Sequence, residues 1–93
     1  LAIVRGSTEI FLGDSAASRT QATHGVYAFD ANNGVPNFSG MYLDSPATTS
    51  STTYKIVAYD PVSAGTIWIN ENSNDAANFT RDASSITVME IKG

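Results

Sequence analysis

The sequence predicts an all-β chain folded as an antiparallel β-sandwich, on three observations. Strand-like runs rich in β-branched and aromatic residues recur at short intervals between turn signals. No segment of ten residues carries a helical period. The last run, 84–91, is apolar on both alternating faces until its penultimate position. Ile86, Val88 and Glu90 form one set, and Thr87, Met89 and Ile91 the other. Successive side chains of a strand point to opposite faces. A strand with one wet face reads apolar-in and polar-out. Run 84–91 therefore calls for cover on both sides. A neighbouring copy of the chain is a natural cover for Thr87, Met89 and Ile91, the expected oligomer interface.

Element by element, residues 1–5 are apolar and lead into Gly6-Ser7, a turn signal, and residues 8–12 follow as far as Gly13-Asp14. Together they read as a β-hairpin. Residues 15–23 are small and polar and read as a loop. Residues 26–29, Val-Tyr-Ala-Phe, read as a short strand, followed by a turn-forming stretch through Asn33-Gly34 and Pro36. Residues 38–43 read as a further strand ending near Asp44-Ser45-Pro46. The polar loop 48–51 leads into 52–59, the longest clear strand, where Tyr54, Ile56 and Ala58 share one face and Lys55, Val57 and Tyr59 the other. Residues 66–70 follow, with Ile67 and Ile69 opposite Trp68. The Asn- and Asp-rich loop 71–83 precedes the closing run. Two packed sheets need few helices, so the expected arrangement is a jelly roll.

The 93 residues suffice for one domain. Charged residues are 15% of the chain, against ~25% in typical domains, and Ser, Thr, Asn and Ala fill the difference. Four Tyr, four Phe and one Trp set it apart from disordered chains. The net charge is −4, and Arg5, Arg19, Lys55, Arg81 and Lys92 are scattered. Nucleic-acid binding calls for a clustered basic face, so that partner is not expected. No run approaches the ~20 apolar residues of a membrane span. Cysteine is absent, which removes disulfides, thiolate nucleophiles and Cys-based zinc sites. A small module without disulfides draws stability from another source, such as oligomerisation. A start at Leu1, without an initiator Met or a signal-peptide pattern, suggests a processed product or a fragment.

No residue pattern selects a reaction, a metal or a cofactor. His24, the only histidine, has no carboxylate or nucleophile near it in sequence and reads as a loop residue. Asn70, Asn72 and Asn74 have the spacing of the first ligands of a calcium loop. The turn glycine is replaced by Asp75 and the closing Glu by Arg81, so an Asx-rich surface loop is the better reading. Asp14, Asp30, Asp44 and Asp60 end expected strands, where aspartate serves turns, and nothing singles out a pair for glycoside hydrolysis. Asn37 and Asn78 begin glycosylation sequons. Tyr27, Phe29, Tyr42, Tyr54, Tyr59 and Trp68 supply aromatic area that reads mainly as core, with Tyr59 and Trp68 sharing packing across their connection.

Four stretches in order carry a resemblance: Arg5-Gly6-Ser7-Thr8-Glu9-Ile10; Tyr42-Leu43-Asp44-Ser45-Pro46 with Thr52-Thr53-Tyr54-Lys55-Ile56; Thr66-Ile67-Trp68-Ile69-Asn70; and Ala83-Ser84-Ser85-Ile86-Thr87-Val88-Met89-Glu90-Ile91. Over nearly its whole length the chain resembles the C-terminal part of structural proteins of tailed bacterial viruses. Such domains are similar to the trimeric jelly rolls of the complement C1q and tumour-necrosis-factor type. The resemblance implies a homotrimer on the virion surface, at a fibre or tail appendage, with strands near the chain end lining the threefold axis. It implies other virion proteins as partners and a host surface glycan or protein as the target. Loops 31–36, 47–51 and 70–83 are then the exposed candidates for recognition. Two other readings stand beside it: a capsid decoration or fibril-forming subunit without receptor binding, and a carbohydrate-active enzyme. Family members carry additional strands before the segment matching residues 1–5. Without them one sheet is short and its edge open. Either a strand from another chain fills that edge or the missing strands precede Leu1.

Overall fold

The computed structural model describes residues 1–25, 35–61, 65–72 and 76–92. Its ordered centre is a hairpin. β1 (Ala2–Arg5) and β2 (Thr8–Ile10) run antiparallel, with Ile3 opposite Ile10, Val4 opposite Glu9 and Arg5 opposite Thr8. The two-residue connection works because Gly6 takes φ 59° while Ser7 stays at negative φ, the arrangement of a type II′ turn. That turn matches the natural twist of the strands it joins. β2 stops at Ile10 rather than at Leu12, because Phe11 turns into the left-handed region at φ 55°. Such a backbone costs about 1–2 kcal/mol for an L-residue. The Phe11 ring stacks on Tyr42 at 4.9 Å and 16°, which offsets part of that cost.

β3 (Tyr54–Val57) pairs antiparallel with the other side of β1, in the order β2-β1-β3. Ala2 lies opposite Val57, Ile3 opposite Ile56, Val4 opposite Lys55 and Arg5 opposite Tyr54. The ladder runs one step past β1, where Gly6 N donates to Thr53 O at 2.8 Å. Residues directly opposite share a face. Ile10, Ile3 and Ile56 therefore form an apolar row across all three strands, and Thr8, Arg5 and Tyr54 a polar row beside it. The other face carries Glu9, Val4 and Lys55, then Ala2 and Val57. Ala2, Val4 and Ile10 are the buried apolar residues among those described, so the core sits at the hairpin.

The fold is thus a helix-free, antiparallel, three-stranded sheet among the described residues, in keeping with the all-β class. A complete jelly-roll sandwich is not formed by these strands. The expected strand 52–59 contracts to Tyr54–Val57. The runs 38–43, 66–70 and 84–91 carry no strand ladder. The expected strand 26–29 lies outside the described residues. The reason is geometric: an alternating pattern supplies a surface suited to a sheet, but a ladder exists only where a neighbouring strand supplies partners.

Among the described residues one sheet stands without a packed second layer, which leaves much surface open. The chain exposes 7891 Å², against about 5200 Å² for a compact monomer of its 9.8 kDa mass. Its radius of gyration is 15.8 Å, against about 12 Å for a compact domain of this length. Leu43, Ile56, Trp68 and Val88 look onto an open hollow of about 2490 Å³.

Candidate assembly face and the Asp44 ion cluster

The polar row of the sheet builds the clearest side-chain cluster. Arg5 on β1 and Tyr54 on β3 stand opposite each other on one face. Asp44 reaches both from the segment that precedes Pro46. Arg5 Nη1 donates to Asp44 Oδ1 at 2.7 Å and to Oδ2 at 2.9 Å. The Tyr54 hydroxyl donates to the same Oδ2 at 2.7 Å. The Arg5 and Asp44 side chains keep only 28% and 13% of their exposure. The Tyr54 hydrogen bond is the main cause holding the Asp44 carboxyl below the ordinary carboxylate value. Partial desolvation opposes it, and the Arg5 guanidinium adds to it. Asp44 in turn raises the Tyr54 phenol above its ordinary value, since a phenolate beside a carboxylate loses a hydrogen bond and gains a repulsion. The cluster ties segment 42–46 to the sheet. Its two acidic groups are engaged with each other and with Arg5, an arrangement that positions chain.

Two further devices hold loops in place. The Thr23 hydroxyl accepts from Ile3 N at 3.0 Å and donates to Ile10 O at 3.4 Å, standing between β1 and β2 at the open end of the hairpin. Beside it, Thr23 N and His24 N donate to Leu1 O at 2.9 and 3.1 Å. His24 packs its ring at 4.8 Å from Phe38, as a loop residue does. The second device is a clasp at the base of loop 71–83. Asp82 N donates to Asn70 O at 2.9 Å, the Ser84 hydroxyl donates to Asn70 Oδ1 at 2.6 Å, and Arg81 pairs with Glu71.

The residues expected in the oligomer interface stand on the surface of the chain. Thr87 is exposed, Met89 is 79% exposed and Ile91 74%. Ile86 and Val88, on the alternate positions of the run, are exposed as well. Met41 and Leu43 add apolar surface from the segment next to Asp44. The remaining candidates are dispersed. Asp60 Oδ2 accepts from Gly65 N at 3.1 Å in its own turn, and Asp30 lies outside the described residues. Of the calcium-loop candidates, Asn70 serves the clasp, Asn72 is buried, and Asn74 and Asp75 lie outside the described residues. Asn37 and Asn78 are exposed. Tyr59 and Trp68 make no ring contact; the ring contacts among the described residues are Phe11–Tyr42 and His24–Phe38.

Sequence reasoning missed the Asp44 cluster, the Thr23 bridge and the clasp. The one available signal was Arg5, a charge at an alternating position of an otherwise apolar strand, which calls for a partner on its face. Compared with protein-family models, with curated proteins and with solved structures, the chain matches none.

Proposed function

We propose that the chain is a structural module of a tailed bacterial virus, carried on a fibre or tail appendage at the virion surface. In this reading it assembles as a homotrimer and works in attachment to the host surface by binding rather than by catalysis. One observation carries the assembly: run 84–91 is apolar on both faces and exposed along its whole length in the protomer. Apolar area of that kind is stable in water only when something covers it. The viral setting comes from the resemblance of the four stretches above. Three copies present each loop three times, which turns weak contacts into avidity. Residues 47–51 are exposed beside the anchored Asp44, as a recognition loop on a fixed support is.

The test has two arms. Native mass should give three times 9.8 kDa. Fluorescent trimer should adsorb to host cells and bind an envelope glycan or protein. A stable monomer sinks the trimer, and an assembled protein that binds no envelope component sinks the attachment role. The second result favours the structural reading, a capsid decoration or fibril-forming subunit. That reading draws on the same exposed apolar run, which calls for a copy of the chain and names no ligand.

A further inference from the structure

We propose that the open edge of β3 receives run 84–91 of a second copy of the chain, so that copies exchange a strand rather than merely pack side by side. This rests on the self-assembly in the proposed function and specifies its geometry. The phase of the β1–β3 ladder identifies the free groups. Gly6 N donates to Thr53 O, so Thr53, Lys55 and Val57 direct their backbone groups toward β1. Tyr54 and Ile56 direct theirs outward, and no strand among the described residues lies there. Ile56 is 44% exposed, which leaves a flat apolar position at this edge. Unprotected edges of this kind are templates for another strand.

The donor has the matching character. Run 84–91 holds four β-branched residues, Ile86, Thr87, Val88 and Ile91, with no Pro or Gly. Each of its residues is exposed. In its own chain it carries no ladder: Ser84 at its start is held to Asn70, and Glu90 and Tyr54 wall one unfilled hollow of about 330 Å³ together with Pro46 and residues 48–52. Lys55 on the acceptor and Glu90 on the donor carry opposite charges.

Area decides for a second copy over closure within one chain. The protomer exposes about 2700 Å² more than a compact monomer of its mass. Obligate interfaces bury roughly 1000–2500 Å² per partner, and strand exchange brings a neighbour's apolar faces over the hollow as well as a ladder onto the edge. Pairing within the chain would bring to the edge only run 84–91, which already lines the hollow, and would add no further apolar face to cover it. A run-to-edge contact joins unlike patches, so it can be reciprocated in a twofold pair, close into a ring, as a trimer requires, or continue as a fibre.

The chain has no cysteine, so introduced ones report without background. Lys55 is exposed and occupies a non-hydrogen-bonded position on the outer edge. A facing Cα there lies about 4.5 Å away, within disulfide reach. Full chains carrying Lys55→Cys are co-expressed with size-tagged chains carrying Thr87→Cys, Val88→Cys or Met89→Cys, then oxidised and weighed under denaturing, non-reducing conditions. The expected result is a heterodimeric crosslink confined to one face of the strand: Val88→Cys alone, or Thr87→Cys or Met89→Cys without it. In parallel, Val88→Pro should weaken association by about tenfold or more, while the strand-competent Val88→Thr retains it. Crosslinking only within one chain, in the Lys55→Cys/Val88→Cys and Lys55→Cys/Met89→Cys double variants, overturns the exchange. So does an assembled protein with no crosslink at any position, although self-assembly then stands. A monomer by native mass removes both.

Discussion

At Asp44, one carboxylate holds two strands and a loop, and the directions of its perturbation fix a pH dependence. Its folded carboxyl lies below the ordinary value. The stability it contributes is therefore full above the ordinary carboxylate range and is lost as pH falls through the lowered folded value. Tyr54 acts in the opposite sense. Its phenol is raised above 10.0, so its contribution is full below that value and is lost as pH rises through the raised one. Denaturation midpoints should form a plateau between the two ranges, and Asp44→Asn should flatten both limbs while lowering the plateau. Urea titrations across pH check this; unchanged limbs in Asp44→Asn would show that the cluster contributes nothing to folding. Thr23 offers a second test at the same scale. Thr23→Val keeps the shape and removes the hydroxyl that serves Ile3 N and Ile10 O. The expected loss is about 1 kcal/mol, with faster hydrogen exchange at the Ile3 amide.

Among the elements, the hairpin depends on one backbone conformation. Gly6 sits at φ 59°, and a Cβ placed there meets no atom within 4 Å. Gly6→Ala thus tests conformation without a clash, and should cost about 1–2 kcal/mol in chemical denaturation. No loss would mean that the turn relaxes to another type. This hairpin was legible in the sequence because its information is local: two apolar runs, a two-residue turn and a Gly where positive φ is needed. The centre of β3 was legible for the same reason, from Tyr54 to Val57. Its neighbour was not, since pairing with β1 depends on residues some fifty positions away. The early end of β2 was hidden because Phe11 is an ordinary strand residue by type, and its contact with Tyr42 is non-local. Asp44 looked like a strand-end turn residue, and its partner Arg5 lies 39 positions away. The runs 38–43, 66–70 and 84–91 have the composition of strands, but composition does not supply a ladder.

For the whole molecule, the assembly proposed above predicts that stability is a property of the associated copies. A species that buries its apolar area against copies of itself gains stability by mass action. Its melting temperature should rise with protein concentration, and a tenfold dilution should lower it measurably in calorimetry. A concentration-independent transition would identify the single chain as the folding unit. The extent of the effect should track run 84–91, so Met89→Asp should lower the melting temperature more at high concentration than at low.

The anchoring of Asp44 has a practical consequence for the crossing between β2 and β3. That long excursion is pinned near its far end, leaving only the short return 45–53 between two fixed points, Asp44 and β3. The return is exposed over 47–51 and bends on its own side chains, with Ser50 N donating to Thr48 Oγ1 and the Thr52 hydroxyl to Ser50 O. Doubling such a stretch costs only about 0.6 kcal/mol in closure entropy. The segment is therefore a natural handle: a short epitope spliced between Thr49 and Ser50 would be displayed outward, tethered at both ends, with the sheet beneath it left intact.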